Sequence, residues 1–389
     1  MKPRRIRDGV LWMGAVDWNR RLFDSLIPLP DGTSYNAYFV QGTEKTALLD
    51  TVDPPMAGVL ERQLAGVDRI DYLISQHAEQ DHSGTIPWVL TEYPEATLLC
   101  SAKAAPMLVD HLGVPGERIR VVTDGETLAL GGKTLRFVYT PWVHWPETMV
   151  THLAEDRILF SCDFFGSHLA TSELCAGDNP YVLDAAKRYY AEIMMPFRKQ
   201  IQNNLKKVRA LEFDLIAPSH GPLFDQPERI LAAYEDWVSD RVANVVVIPY
   251  ISMHGSTEIM VDYLLTALAE RGVRVEKFDL SVTDIGKLAM SLVDAATIVI
   301  GTPTVHIGPH PSVFAATHLA NALRPKLKYA AVIGSYGWGT QAAEQIAGLI
   351  PNLKVEVLGT VMCKGVPRDE AFAALDALAA AIAAKHAAL

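Results

Sequence analysis

From Asn244 onward, strand-length runs alternate with helical patterns, and that rhythm admits few folds. The runs VVVIPYI, VRVEKFDL, ATIVIGT, YAAVIGS and KVEVLGT are rich in β-branched residues, as buried strands are. Helical patterns at 258–271, 285–292, 313–323 and 341–349 fall between them, and a last one follows KVEVLGT. Consecutive strands separated by helices cannot form hairpins, so they pair in parallel through crossovers. The expected product is a doubly wound parallel sheet whose ligand edge lies at the C-terminal ends of the strands.

The preceding residues have a different texture. Short strands separated by turn residues recur in NAYFVQG, KTALLDT, IDYLISQH, ATLLCS, IRVVTDGETLALGGKTLRFVYT and MVTHLAEDRILFSCD, with helical patterns at 57–64, 86–92 and 184–211. That mixture predicts sheets covered by helices. A chain of 389 residues exceeds the size at which one core keeps growing. Two domains are therefore expected, 1–240 and 241–389, with the polar helical segment 225–240 as the passage between them. No internal repeat is present.

The formal charge of −10 falls entirely in the first domain, because residues 241–389 carry 12 basic and 12 acidic side chains. No basic stripe occurs, which argues against nucleic acid as a partner. The four cysteines, Cys100, Cys162, Cys175 and Cys363, form no CxxC pair. This predicts a reducing, cytoplasmic setting, and it excludes a disulfide framework and a four-cysteine iron site. MKPRRIRDGVLW has no apolar stretch behind its basic residues, and no run is long enough to span a bilayer, so neither a signal peptide nor a membrane association is expected.

Within the first domain, HAEQDHSG packs His77, Glu79, Asp81 and His82 into six residues. Residues 77 and 79 point one way along an extended segment while residue 81 is offset, so one loop can address two metal ions. Gly84 ends the turn and an apolar helix follows, the setting of a loop fixed at a strand's edge. Imidazole-dominated sites suit zinc, whereas a carboxylate at position 79 favours redox-active iron or manganese. His144 in WVHWPET, Asp163 in LFSCDFFGS and His220 in APSHGP are further candidates near strand ends.

In the second domain, SMHGSTE joins the first strand to its helix. Its small hydroxyl residues and Gly255 let backbone N–H groups approach a phosphate at the helix N-terminus. ATIVIGTPTVH and AAVIGSYGWG end at the same edge, and together the three loops make a mononucleotide site.

The order HAEQDH, His144, Asp163, His220 resembles the flavodiiron proteins, or A-type flavoproteins, over essentially the full chain. The resemblance implies a metallo-β-lactamase-like αββα sandwich followed by a flavodoxin-like doubly wound sheet. It implies that His77, Glu79 and His144 bind one iron, that Asp81 and His220 bind the other, and that Asp163 bridges them. His82 is either a ligand to the second iron or displaced by solvent. Trp142 and Trp145 read as packing residues, while Tyr189 or Tyr190 of KRYYAEIMMPF, Tyr190 in particular, and His168 are candidates to give a hydrogen bond or proton to substrate. FMN is implied at Ser252, Met253, His254, Gly255, Ser256 and Thr257 around the phosphate. Its ring falls to Thr302, Pro303, Thr304, Val305, His306 and Ile307, and to Ser335, Tyr336, Gly337, Trp338 and Gly339. At His306 the chain departs from the asparagine expected there, and Trp338 stacks near the ring or packs at a subunit interface.

The expected function is reduction of O2 to water, of NO to N2O, or of both, at a non-haem diiron centre. Electrons come through FMN from a separate rubredoxin or a reduced deazaflavin. Because the two sites lie at opposite ends of one chain in the family, a head-to-tail homodimer or a dimer of dimers is implied. The rivals are a dinuclear zinc hydrolase with an appended flavodoxin-like domain, and an electron carrier whose first domain has lost its chemistry.

Overall fold

The computed structural model describes residues 2–389, which divide into two compact units. The first comprises residues up to Tyr190 together with Phe197–Val238, and the second Ala191–Pro196 with Ser239–Leu389.

In the first unit, Arg4–Arg7, Val10–Trp12, Tyr38–Gln41, Thr46–Leu49, Tyr72–Ser75, Thr97–Cys100 and Ile119–Val121 form a seven-stranded sheet in that order. Pairing is antiparallel as far as Thr46–Leu49 and parallel beyond it. A second sheet runs Thr127–Ala129, Thr134–Tyr139, Met149–Leu153, Ile158–Cys162 and Leu215–Pro218, with only its last pair parallel. Strand alternation sorts the side chains into two cores. Tyr38, Val40, Ala47, Leu49, Ile74 and Leu99 meet Phe137, Met149, Leu153 and Phe160 in one. Phe39, Leu48, Leu73 and Leu98 point the other way, onto helices Ala57–Leu64, Ile86–Glu92 and Ala104–Leu112. The result is a helix-covered pair of packed sheets.

Two expectations change. The helical pattern 184–211 is not one helix: Pro180–Tyr189 is followed by a π-turn, a 3₁₀ turn at Met195–Phe197, and then helix Arg198–Arg209. Pro196 has no N–H to continue the ladder, and its ring clashes with the preceding turn. The segment 225–240 is helical as expected, but it belongs to the first unit as far as Val238. Helix Pro227–Val238 buries Ile230, Leu231, Tyr234, Trp237 and Val238 within the first unit.

The second unit is a parallel sheet ordered Arg274–Asp279, Ala243–Tyr250, Ala295–Val305, Tyr329–Tyr336 and Glu356–Lys364. By chain order this is 2-1-3-4-5, which places a switch point between strands Ala243–Tyr250 and Ala295–Val305. Helices Ser256–Glu270 and Asp369–His386 contribute to the core on one face, and Ile285–Leu292, Pro311–Leu323 and Ala342–Leu349 to that on the other. Among the described residues no helix is long and apolar enough to cross a membrane.

Candidate metal centre

Strand Tyr72–Ser75 ends two residues before His77, and the chain then enters a one-turn helix, Gln80–Ser83, with Glu79 at its N-cap. His77 and Glu79 therefore leave extended backbone, while Asp81 and His82 leave a helical turn and point elsewhere. His144 comes from the loop between Thr134–Tyr139 and Met149–Leu153, Asp163 from the end of Ile158–Cys162, and His220 from the end of Leu215–Pro218. Gly221 holds φ at 79°, and a Cβ there would lie 2.0 Å from the Ser167 Oγ, so only glycine lets the chain turn behind His220.

These residues fall into two groups, His77, Glu79, His144 and Asp163 in one and Asp81, His82 and His220 in the other. The Glu79 Oε2 lies 3.0 Å from His77 Nε2 and 3.1 Å from His144 Nε2. Asp163 Oδ2 stands 3.5 and 3.4 Å from the same two nitrogens. On the other side, Asp163 Oδ1 is 3.0 Å from His82 Nε2 and 3.5 Å from His220 Nε2, and Asp81 Oδ2 is 3.2 Å from each. Each oxygen of one carboxylate thus faces a different group.

The spacing fits coordination. Two donors on one ion, with bonds near 2.1 Å at angles between a right angle and the tetrahedral angle, lie about 3.0–3.4 Å apart. Both oxygens of Asp81, both of Asp163 and both ring nitrogens of His82 are buried without a hydrogen-bond partner. Such orphaned atoms are costly unless a cation satisfies them. The seven residues therefore fit two metal ions, with imidazole and carboxylate donors in near balance, and His82 faces the second position with the rest.

Without metal, protons hold the cluster together. Burial pulls His82 towards neutrality, but the charges of Asp81 and Asp163 outweigh it and lift the imidazole to about 10. His77 and His144 are raised against the same burial by their carboxylate partners. Glu79 and Asp163 move in the opposite direction, their burial overcome by these imidazoles.

Around the ligands, several contacts had no signal in the sequence. Glu147 Oε1 accepts from His77 Nδ1 at 2.6 Å and from the Ala78 N–H at 3.1 Å. The Ser34 carbonyl accepts from His220 Nδ1 at 2.7 Å. Asp24 lies in the turn between Leu22–Phe23 and Ile27–Pro28, and its carboxyl is raised by burial and by the charges of Glu79 and Asp81.

Tyr190 is not at the metal ligands. Its ring packs on Tyr234 and Trp237, and its hydroxyl donates to the Trp237 carbonyl at 3.4 Å. Tyr189 takes the place expected of it, with its ring centroid 4.8 Å from that of His168 and 5.7 Å from that of His220. His168 is close, its ring 4.7 Å from His220, but it is no proton reserve. Burial and the neighbouring His220 hold it far below the usual imidazole range. Thr33 Oγ1 shares a hydrogen bond with His168 Nδ1 at 2.9 Å, and the buried Nε2 has no hydrogen-bond partner. Trp145 packs edge-on against His77, with centroids 5.0 Å apart, and Trp142 stacks on Phe197.

In the second unit, the Ser252 Oγ accepts from the N–H groups of Gly255 (3.1 Å) and Glu258 (3.2 Å), curling the first loop onto helix Ser256–Glu270. Gly255 has φ 86°, and a Cβ there would face open space. Hydroxyl contacts tie the three loops together, Thr257 to Ser335 at 3.0 Å and Thr304 to Thr340 at 2.8 Å, and the Gln341 N–H donates to the Ile307 carbonyl at 2.7 Å. Thr302 faces inward: its buried hydroxyl donates to the Pro303 carbonyl and accepts from the His310 N–H. What the second loop presents to solvent is the turn at His306 and Ile307, with Met253 half-exposed in the first loop and Trp338 90% exposed in the third. An open, glycine-lined edge beside a helix N-terminus fits the phosphate and ring of a flavin mononucleotide.

A family model described as ODP family beta lactamase matches residues 33–221. The chain is 34% identical over 383 residues to the nitric oxide reductase of Moorella thermoacetica, covering 95% of each protein. It superposes on the rubredoxin oxygen:oxidoreductase of Desulfovibrio gigas with a TM-score of 0.95 at 31% identity, over 99% of both chains. With the flavodiiron protein of Giardia intestinalis the TM-score is 0.91 at 29% identity, over 99% of this chain and 98% of that one.

Proposed function

This chain belongs to the flavodiiron family, and from that premise we propose that it is an oxidoreductase that reduces O2 to water, NO to N2O, or both. Residues 1–240 hold two iron ions and residues 241–389 hold FMN. The observation that carries this assignment is Asp163, whose two oxygens face two separate donor groups.

His77, Glu79 and His144 hold one iron, Asp81, His82 and His220 the other, and Asp163 spans them. Reduction of O2 to two waters takes four electrons and joining two NO into N2O takes two; a reduced flavin and two ferrous ions together supply four. The chain's own residues do the rest. The imidazoles fix the ligand geometry, the carboxylates balance charge across oxidation states, and the rings of Tyr189, Phe23 and His168 help keep the His220 side dry. Ser252 to Thr257 hold the flavin phosphate, and His306, Ile307 and Ser335 to Gly339 border its ring. A zinc hydrolase on the same fold would have no use for the flavin edge.

Electrons come from a separate donor, rubredoxin or a reduced deazaflavin, in the cytoplasm, where free cysteines such as Cys175 persist. The working unit is a head-to-tail homodimer or a dimer of such dimers, in which the exposed apolar residues Met253, Ile307 and Trp338 meet the partner.

Metal and flavin analysis of purified protein, followed by anaerobic mixing of the reduced enzyme with O2 and with NO, tests this assignment. Two irons and one FMN per chain with rapid consumption of one gas are expected. Two zinc ions without iron would overturn it. Glu79→Ala should lose iron and gas reduction while keeping FMN, and unchanged gas consumption would show that Glu79 is misassigned.

A further inference from the structure

The two metal positions are matched in ligand types but not in what stands behind the ligands. On the first, the far nitrogen of His77 donates to a carboxylate: Glu147 Oε1 is 2.6 Å from Nδ1, and the Glu147 side chain is 0% exposed. A second donor, the Ala78 N–H, reaches the same oxygen, so Glu147 acts purely as an acceptor. On the second position, the far nitrogen of His220 meets only the neutral Ser34 carbonyl, and that of His82 meets no hydrogen-bond partner. One position is therefore backed by a carboxylate hydrogen-bonded to its imidazole and the other is not; the buried Asp50, whose hydrogen bonds go to Gln76, acts on His82 and His77 only through space. A carboxylate behind a metal-bound imidazole raises its basicity and electron donation, and a buried charge is weakly screened.

We propose that Glu147 is a positioning residue that makes the two irons unequal. Its carboxylate would hold an iron at His77, Glu79 and His144 to a lower potential, and leave one at Asp81, His82 and His220 to be reduced first. No bond is made or broken in this. A bound flavin would supply the electrons, and Glu147 would set their order, the position without it being filled before the position backed by it. The inference rests on the diiron assignment above.

The charge is separable from the hydrogen bond, because Glu147→Gln keeps an acceptor for His77 Nδ1–H and removes the charge, while its amide NH2 takes the buried, unpartnered place of Oε2. In a redox titration followed by electron paramagnetic resonance, the half-reduced signal of the wild-type protein should persist over a broad span of potential. In Glu147→Gln the comproportionation constant should fall at least tenfold, which narrows that span by about 59 mV. Glu147→Asp, which keeps the charge, should restore most of the span. As a readout independent of turnover, cobalt(II) titration of the metal-free protein should show one site weakened about 10–100-fold in Glu147→Gln and the other unchanged. Circular dichroism and retained FMN establish that each variant is folded. An unchanged span, or equal weakening at both sites, overturns the proposal. If the wild-type protein takes up two irons and reduces a gas while Glu147→Gln matches it, only this inference fails; if the wild-type protein takes up no iron, the diiron assignment fails.

Discussion

Asp163 bridges two groups because the residue before it turns the chain. Cys162 adopts a left-handed φ of 53°, and Asp50, Trp142 and Phe165 nearby do likewise at 53°, 65° and 72°. Each costs about 1–2 kcal/mol, so they persist only where the surroundings fix them. The same side chains set a pH dependence. His82 is raised from 6.5 to about 10 in the metal-free protein, so the stability it contributes is fully present below pH 6.5 and is lost as pH rises towards 10. Metal-free protein should therefore lose melting temperature over that window, and metal-loaded protein much less. Iron(II) displaces the same protons, so loading near pH 7.5 should release them, as measured by calorimetry in buffers of different ionisation enthalpy. Loading without proton release would show that the imidazoles are already neutral. The candidate ligands could be picked out in the chain because four of them share one hexapeptide, Asp163 and His220 follow strand ends, and His144 lies in a short loop between two strands. Glu147 could not, since nothing in WVHWPET distinguishes a buried acceptor from a surface acid. Nor could the choice of Tyr189 over Tyr190, because adjacent residues on a helix differ only by a rotation of about 100° that sequence does not anchor.

At the scale of elements, alternation carried the second unit almost whole, since buried parallel strands and intervening helices differ strongly in pattern. Loops carry less of that signal. The hairpin joining Ala295–Val305 to Gly308–Pro309 turns on two non-glycine residues with positive φ, His306 at 47° and Ile307 at 70°. An asparagine or glycine would sit there with less strain, and for a β-branched side chain the conformation is a genuine outlier. Strain kept at an exposed loop tip, fixed by Gln341 and bordering the proposed flavin ring, fits a clamp on a ligand. Ile307→Gly should accordingly stabilise the flavin-free protein by about 0.5–1 kcal/mol, the relieved strain less the added entropy of the unfolded chain. Urea denaturation of flavin-free protein measures this, and a loss of stability would mean that the Ile307 side chain contributes more contact than strain. The broken helix at 184–211 was hidden for the opposite reason: its apolar spacing persists across Pro196, while the π-turn and 3₁₀ turn that separate the two pieces leave no mark in that spacing.

For the whole molecule, the question is which flavin serves which irons. If electrons cross between subunits of a head-to-tail dimer, two inactive variants can repair each other. Glu79→Ala removes iron while keeping FMN. Ser256→Asp sets a carboxylate in the first turn of helix Ser256–Glu270, where it repels the flavin phosphate while suiting the helix dipole, so it removes FMN while keeping iron. Mixed in equal amounts and allowed to exchange subunits, they give heterodimers in about half of the population, each with one complete flavin–iron pair out of two. Activity should return to about a quarter of the wild-type value. It should grow at the rate of subunit exchange, and chemical cross-linking before mixing should abolish it. Were each flavin to serve the irons of its own chain, no mixture would recover activity, because neither variant holds both cofactors. That difference between a quarter and nothing reads the direction of electron flow without requiring the partner interface to be seen.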